Sequence, residues 1–575
     1  MLPRARRIAA AIGGWTSAVL LVLLVAAVLP WLSGADPALR VFRARFGDRP
    51  ATPEALHGIR AELDIAASPA AGVWQWLTGL ARGDLGTSWV SGTPVGEQVV
   101  PAWWVSLNLA TVSAAGSLLL AVLIVAPALR RAADGKSVVT RTLSGVIAAL
   151  ASLPTMVLAV ALVGVIAVEW RLLPTSGWQR PRDMILPCLA LALPMGAILA
   201  RIMLGAINST AQESWLLTWR ANGCRRRRLV VAIAHRAVAV VVPQVFLIIA
   251  GTIGAAVVIE KIFAIPGLGR LTLHACLAQD VPVVQATMAM LVLAGLVLGV
   301  AGALTHRALL GPTLAAGHGA QLSTGQRSGR RFGPGALAGC AALAVLVLGG
   351  LPRSPAIDVD AAYLAPSWQA PLGTDGLGRD LWARAADGAL ISIGLAVLCS
   401  AICLVAGTIA GLANPSGQPG IADVLNAVPA VFMGIILAAV VGPGLATATL
   451  AVCAVGWIPI AVHARTLAGE IRATGFYRTG LLSGGGRWWM LRKHLIPVAL
   501  PQLLMHALVR LPHVALALTG LSFIGIGAPH DSPEWGKLLA ESVGHVDRAP
   551  WLTAVPTVGL LLVGVLASLL GEQGE

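Results

Sequence analysis

Three ionisable side chains share one apolar stretch of the sequence, Ile496–Gly520. His506, Arg510 and His513 stand at i, i+4 and i+7, a spacing that puts them on one face of a helix over about two turns. An unpaired arginine at membrane depth costs roughly 2.5–3.5 kcal/mol on insertion scales, so this face should meet water, a ligand or an acid rather than lipid. Two interpretations stay open. The stripe attracts a carboxylate or another anionic group, or it forms a structural ion pair with an acid on a neighbouring helix.

Few acids are placed to form such a pair. Asp423 stands at the start of one neighbouring apolar stretch and Glu260 at the end of another, and neither lies near the middle of its stretch. This placement favours a water-filled cavity that attracts an anionic group. Glu260 joins the three cationic residues as a candidate for lining a water-filled pathway, because ionisable residues inside spans usually face such a cavity.

The sequence offers no other site chemistry. Gly135-Lys136-Ser137 is the one GK[ST] string, but Arg130 occupies the position where a phosphate-binding loop requires glycine. The seven cysteines lie mostly within apolar stretches, without a CxxC pair or a His/Cys cluster at metal spacing. We therefore predict no metal, cofactor or nucleotide on this chain, and no enzymatic activity of its own.

Composition identifies the class of protein. Of 575 residues, 57% are hydrophobic and only 12% charged, which is too apolar for a water-soluble globule. The net charge of +15 comes from arginines in short loops between apolar stretches, so it indicates orientation in a lipid bilayer rather than nucleic-acid binding. The chain is predicted to be an all-α, multi-pass membrane protein.

Twelve stretches approach the roughly 20 apolar residues that a membrane-spanning helix needs. In order they are Trp15–Ser33, Val105–Leu129, Leu143–Val168, Met184–Met203, Val238–Val258, Val283–Leu304, Leu337–Leu351, Leu390–Leu412, Val424–Val441, Leu445–Val462, Ile496–Gly520 and Leu552–Leu570. The first resembles a signal peptide but is long enough to span, so we interpret it as a retained anchor. The Gly-rich segment 305–335 contains Arg but no acid, and separates two sets of six as a linker.

The distribution of charge predicts the topology. Segments 129–141, 207–236 and 465–494 carry net charges of +3, +5 and +5, whereas the long segment 34–104 carries −1. Because cytoplasmic loops are enriched in Lys and Arg, we predict cytoplasmic termini, a cytoplasmic linker and an extracytoplasmic segment 34–104.

Two basic interruptions share one pattern. Thr218–Pro243 and Tyr477–Pro501 each predict a short helix, a turn at Gly223 or Gly484, and then a second helix with Arg, Lys or His before a proline. Glycine suits such a turn because it takes positive φ without a side-chain clash. Both stretches resemble the cytoplasmic coupling (EAA) loops of binding-protein-dependent ABC importer permeases.

Further motifs make the resemblance specific. In the first half, WQWLTGLARGDLGTSWVSGTPV, LLPTSGW, VIEKIFAIPGLGR and DVPVVQ resemble one permease subunit of the dipeptide/oligopeptide/nickel importer family. In the second half, PLGTDGLGRDLWAR, GPGL, GLSFIGIGAP with SPEWGKLLAE, and APWLTAVP resemble its sister subunit. Where that subunit often has a glutamate before its LSF motif, this chain has Leu518. The resemblance implies a fusion of both subunits, covering nearly the whole chain.

The resemblance also implies a fold and a division of the chain. We expect the type I ABC importer permease fold, with about twelve helices in two six-helix permease units that form a pseudo-dimer. The units are predicted at 1–304 and 336–575, with coupling loops near 208–236 and 465–495.

The same resemblance implies partners and a role for the two loops. Two ABC ATPase subunits, or a fused ATPase, would bind the coupling loops at the cytoplasmic face and would hold ATP and Mg²⁺, while an extracytoplasmic protein would deliver substrate. The candidate coupling residues are Trp219, Ala221, Gly223, Arg226, Tyr477, Leu482, Gly484 and Trp488, and further apolar candidates are Trp215, Leu216, Leu217 and Leu481. Their alternative interpretation is an interfacial aromatic belt.

The predicted function is the fused transmembrane subunit of an importer of di- or oligopeptides in the cell membrane. Nickel or a metal chelate is the alternative substrate. An ion-coupled secondary transporter and a lipid-scaffolding protein explain the paired basic loops and ordered motifs less well.

Overall fold

The described residues form helices joined by turns and loops. The computed structural model describes residues 20–571, apart from 21–22, 25, 32–35, 47–48, 64–65, 67, 152, 315–333 and 414–429. Within these residues there is no β-strand, only the isolated bridges Thr87–Pro94 and Thr374–Asp380. The predicted span Trp15–Ser33, most of the linker 305–335, Asp423 and residues 572–575 lie largely or wholly outside the described residues.

Helices of the first half lie at the predicted spans from Val105 onward, and three shorter helices lie in segment 34–104. Their bounds are α1 Pro37–Phe46, α2 Pro53–Glu62, α3 Pro69–Ala81, α4 Val95–Ala133, α5 Arg141–Ala151, α6 Thr155–Leu162, α7 Ile185–Ala211, α8 Ser214–Ala221, α9 Arg226–Ala255, α10 Val257–Ile262, α11 Leu268–Leu277 and α12 Val281–Leu314. The predicted span Leu143–Val168 is not one helix. It breaks before Pro154 because proline disfavours helical backbone in the residue that precedes it.

The second half continues the series. Its helices are α13 Pro334–Gly350, α14 Leu381–Ala413, α15 Ala430–Val441, α16 Leu445–Ala473, α17 Gly475–Leu482, α18 Arg487–Met490, α19 Ile496–Ile524, α20 Trp535–Ser542 and α21 Trp551–Gly571. A π-helical turn, Leu491–Leu495, joins α18 to α19. By length and composition, six helices in the described chain can cross a membrane, and four shorter helices are also apolar.

The chain divides into two compact units. The smaller unit comprises Trp103–Gly269 and Leu293–Arg330, and the larger unit comprises Met1–Ala102, Arg270–Val292 and Arg331–Gly574. This division does not follow the boundaries that the sequence predicts for two permease units, and those boundaries stay a prediction.

In the smaller unit, α7 is the central helix. It packs against α5, α6 and α9, and its buried Leu199, Met203 and Ile207 form a core with residues of α4 and α9. A Cβ atom on Gly196 would lie 2.9 Å from the Ser117 carbonyl oxygen, so α7 approaches α4 more closely than any larger residue would permit. This core holds the base of the first basic loop.

In the larger unit, α14, α16 and α19 pack against one another. Gly407 and Gly411 bring α14 close to α16, since Cβ atoms there would lie 2.6 Å from the Trp457 oxygen and 2.5 Å from the Ala461 oxygen. Small residues four apart commonly permit such contact between membrane helices. The three helices position the second basic loop and the cationic stripe.

Candidate functional site

The two basic loops form the same local structure. Each contains an eight-residue helix, α8 or α17, that follows a long helix after a short break. Gly223 has φ +69° and Gly484 has φ +84°, which confirms the predicted glycine turns. Both turns occupy the left-handed region that glycine enters without a steric penalty.

The hydrogen bonds at these turns match as well. In the first loop, Gly223 N–H donates to the Arg220 oxygen (2.9 Å) and Cys224 N–H donates to the Trp219 oxygen (3.0 Å). In the second, Gly484 N–H donates to the Leu481 oxygen (3.1 Å) and Gly485 N–H to the Gly480 oxygen (3.0 Å). This paired arrangement is the Schellman motif, which ends a helix and fixes the direction of the chain after it.

Each short helix is held to its own unit by one apolar side chain seven residues before the turn glycine. Leu216 is fully buried in the core of α4, α7 and α9. Tyr477 is half-buried against the core of α16 and α19. The prediction that Leu216 is available to pack against a partner is therefore wrong in this structure, because this buried side chain anchors α8 to its own unit. Tyr477 is turned partly inward and anchors α17 in the same way.

Other predicted coupling residues are exposed. Leu482 is 89% exposed and Trp488 is 72% exposed, and Trp219, Ala221 and Arg226 are also accessible. Phe476 and Trp489, which the sequence analysis did not single out, are exposed beside them. Exposed apolar side chains next to a rigid turn form a surface suited to docking in a cleft.

Acids within the smaller unit already pair with arginines of the first loop. Arg226 forms a 2.8 Å ion pair with Asp134. Glu213 pairs with Arg236 and also accepts a 2.6 Å hydrogen bond from the Trp215 indole. The exposed Arg226–Asp134 pair contributes little energy in water, but it joins the loop to the segment that follows α4. The part-buried Glu213–Arg236 pair joins the start of α8 to α9.

The cationic stripe lies on one continuous helix, α19, as predicted. His506 stacks on His463 of α16, with ring centroids 4.6 Å apart and planes at 24°. His506 Nε2 is buried and has no hydrogen-bond partner among the described residues. His513, farther along the stripe, is exposed.

Arg510 is half-buried and forms no ion pair with any acid in the described part of the chain. Sequence reasoning missed His463, because nothing in the spacing of α16 indicates that this residue faces His506.

Glu260 is fully buried in the smaller unit. It accepts a 2.5 Å hydrogen bond from Ser106 Oγ, which in turn accepts a 2.7 Å bond from the N–H of Leu268, the first residue of α11. Gly267 leaves the space for its carboxylate, since a Cβ there would lie 2.2 Å from Glu260 Oε1. In this conformation Glu260 supports the start of α11 rather than lining an open cavity, and a pathway role stays a prediction.

The larger unit contains a similar buried carboxyl at a different position in its sequence. Glu534, immediately before α20, is 1% exposed and accepts a 3.2 Å hydrogen bond from Ser392 Oγ. The N–H of Trp535, the first residue of α20, donates to the same Ser392 Oγ (3.1 Å). Although Leu518 replaces the glutamate expected before the LSF motif, this unit still has a serine that bridges a buried carboxyl and the start of a short helix.

Glu534→Gln should remove a pH dependence of stability. Burial raises the pKa of Glu534, while hydrogen bonds from Gly536 N–H, Ser522, Lys537 N–H and Ser392 oppose the shift. The folded protein therefore holds the proton more tightly than the unfolded chain. Stability contributed by this group is present at acidic pH and is lost as pH rises from the ordinary carboxyl range through the raised pKa.

Thermal unfolding of the purified protein across this pH range measures the effect, and the Gln variant should show a smaller decline than the wild type. Asp531→Asn, a change of an exposed acid nearby, is the control. Equal declines in the wild type and the Gln variant would contradict the prediction.

The motifs that carried the family resemblance contact one another within the larger unit. Asp280 of DVPVVQ binds Ser88 and accepts a 3.0 Å hydrogen bond from Trp89 N–H, both in the GDLG-containing segment. In the second half, buried Arg384 bridges Asp375 (2.7 Å) and Glu541 (3.1 Å), which belong to two different motifs. These motifs therefore stabilise the segments between the spans.

Comparison with known proteins agrees with this arrangement. A family profile described as "Binding-protein-dependent transport system inner membrane component" matches residues 131–310 and 419–572. Each matched segment contains one of the two basic loops with its Schellman turn.

Three relatives each align with less than half of this chain but with most of their own sequence. The metal-staphylopine import system permease protein CntB of Staphylococcus aureus (strain Mu50) is 30% identical over 47% of this chain and 85% of its own. The probable D,D-dipeptide transport system permease protein DdpC of Escherichia coli K12 is 33% identical, covering 38% and 75%. The nickel transport system permease protein NikC of the same strain is 28% identical, covering 39% and 83%.

Proposed function

Because this chain belongs to the family of binding-protein-dependent transport system inner membrane components, we propose that it is a fused pair of permease subunits that forms the translocation pathway of an ATP-driven importer. The observation that carries this proposal is the pair of exposed eight-residue helices with matching glycine caps, one in each family match. An importer with two ATPase sites needs two such docking elements, and this single chain supplies both.

The proposed partners follow from the family to which the chain belongs and from the surfaces that its two basic loops present. Two ABC ATPase subunits, or a fused ATPase, bind α8 and α17 at the cytoplasmic face and hold ATP and Mg²⁺. Leu482, Trp488 and Trp219 pack into the ATPase clefts, while Leu216 and Tyr477 transmit the movement of each short helix to the core of its unit. An extracytoplasmic binding protein delivers the substrate on the opposite side of the membrane.

Di- or oligopeptides are the proposed substrates. They carry a terminal carboxylate, which is the group that the half-buried Arg510 and its neighbouring imidazoles would attract. A nickel or metal-chelate substrate is the second candidate, because relatives named for nickel and metal-staphylopine import match this chain as well as one named for dipeptides does. A chelate that carries carboxylates would meet the same cationic groups.

Co-purification tests the proposed machinery. The chain, expressed together with its candidate ATPase and binding protein, should form a complex whose reconstituted vesicles take up peptide only when ATP is present on the ATPase side. A chain that binds no ATPase, or uptake that follows an ion gradient without ATP, would contradict the proposal and favour a secondary transporter.

A further inference from the structure

An exposed group of cations in the smaller unit has no role in the function proposed above. Arg225, Arg227 and Arg228 lie at the start of α9, and Arg130 and Lys136 lie at the end of α4 and just beyond it. We call these five residues the arginine patch. All five side chains are exposed.

Contacts within the smaller unit hold the two parts of the patch together. Arg226 pairs with Asp134 at 2.8 Å, and the Arg220 guanidinium donates a hydrogen bond to the Ala132 carbonyl oxygen. Arg131 Nε donates a 2.8 Å bond to the Ser137 oxygen, which closes the turn that carries Lys136. The segment after α4 and the start of α9 therefore present their charges on one platform.

The electrostatics of this platform are unfavourable without an anion. A helix N-terminus carries partial positive charge, so arginines there repel it. The first turn of α9 nevertheless begins with Arg226, Arg227 and Arg228, contains no acid, and has no side-chain N-cap. Two nearby acids, Asp134 and Glu213, already pair with Arg226 and Arg236. Negative charge supplied from outside the chain would compensate the patch.

The patch also lies where the apolar part of the unit ends. Two membrane-length helices, α4 and α7, end beside it, and Leu229, the residue that follows the arginines, is already buried in the core. In a bilayer spanned by α4 and α7, these cations would lie at the level of the lipid headgroups. Clusters of four or more Lys and Arg next to a span typically bind anionic lipid.

Comparison with the second loop separates the patch from ATPase coupling. Both loops have the same cap and an apolar anchor at the same position, yet Gly486, Trp488 and Trp489 follow Gly484 where Arg225, Arg227 and Arg228 follow Gly223. Since one loop has the shared geometry without an arginine run, the coupling geometry does not require one.

We propose that the arginine patch is a binding site for the phosphate of an anionic phospholipid headgroup, such as that of phosphatidylglycerol. Guanidinium groups suit phosphate because they form paired, charge-assisted hydrogen bonds with its oxygens. The bound lipid stabilises the start of α9 and thereby the base of the first coupling loop.

The test compares the full chain in nanodiscs of phosphatidylcholine alone with nanodiscs that also contain phosphatidylglycerol. The wild type should unfold at a higher temperature with phosphatidylglycerol, and native mass spectrometry should show the lipid retained. A variant with Arg225→Gln, Arg227→Gln and Arg228→Gln should lose both effects. Each juxtamembrane cation strengthens attachment to an anionic surface roughly fivefold, so three substitutions should weaken lipid binding about 100-fold.

A second variant, which removes two arginines elsewhere in the unit, controls for the loss of positive charge. Arg180→Gln with Arg182→Gln removes exposed arginines that precede the opposite end of α7, and it should keep the full response to phosphatidylglycerol. In phosphatidylcholine alone, the triple variant should be at least as stable as the wild type, because it removes repulsion at a helix N-terminus. This result separates loss of the lipid site from misfolding.

Three results would overturn the proposal. An equal response of the triple variant and the wild type to phosphatidylglycerol would show that these arginines do not bind the lipid. Inorganic phosphate that reproduces the whole stabilisation in phosphatidylcholine would identify a site for free anions. If the triple variant lost ATPase co-purification but kept its lipid response, the arginines would belong to the ATPase interface. If the wild type bound no ATPase at all, the proposed function would fail, but the lipid site would not be affected.

Discussion

Gly484→Val should leave the protein inserted in the membrane while uptake falls and ATP hydrolysis loses its link to transport. Gly484 lies at φ +84° in the Schellman turn after α17. A residue with a Cβ pays roughly 1–2 kcal/mol in the left-handed region, and β-branching makes valine a particularly poor occupant. That cost corresponds to a roughly 5- to 30-fold smaller population of the correctly formed loop.

The structure shows that this effect would come from the backbone and not from crowding. Apart from atoms of Gly484 and its two chain neighbours, no heavy atom lies within 4 Å of the position that a Cβ on Gly484 would occupy. Gly484→Asn is therefore the matched control, because asparagine adopts the left-handed conformation more readily and also has room. The measurement is ATP-driven uptake and ATPase stimulation in vesicles with equal amounts of each protein. Wild-type uptake and stimulation by the Val variant would remove the coupling role of the turn.

The loops illustrate what the sequence could and could not predict. A glycine between a short polar helix and a basic helix indicates a left-handed turn, since few other residues adopt that backbone conformation, and both turns are confirmed. Whether Leu216 and Leu217 point inward or outward depends on the rotation of α8 against its neighbours. The sequence of an eight-residue helix does not determine that rotation, and only Leu216 is buried.

The buried carboxyls show a second limit. A span can be predicted from its own residues because hydropathy is a local property. Glu534 bonds to Ser392, which is 142 positions away, and Glu260 bonds to Ser106, which is 154 positions away. Pairing of this kind depends on tertiary packing, so the sequence revealed the absence of a glutamate at Leu518 but not the carboxyl that Glu534 supplies.

Arg510→Ala should weaken the apparent affinity for carboxylate-bearing substrates while insertion and ATPase binding persist. Arg510 lies on α19 of a chain whose membrane-spanning part contains few acids, and it has no ion-pair partner in the described residues. His506 lies one turn away on the same face of α19 and stacks on His463 of α16. A charge-assisted hydrogen bond to a carboxylate is worth about 1.5–3 kcal/mol, which corresponds to a roughly 10- to 100-fold loss of affinity.

Three further variants separate substrate binding from structural support. Arg510→Lys keeps the charge and should retain part of the affinity, whereas Arg510→Gln keeps polarity without charge and should behave like the alanine variant. His513→Gln, on the exposed part of the stripe, should have a smaller effect. The measurement is concentration-dependent uptake of peptides with a free or an amidated C-terminus by variants that stimulate the ATPases normally. Since an amidated C-terminus carries no charge, the Ala variant should lose the preference of the wild type for the peptide with the free acid. If the Ala variant took up both peptides with wild-type affinity and rate, Arg510 would have only a structural role.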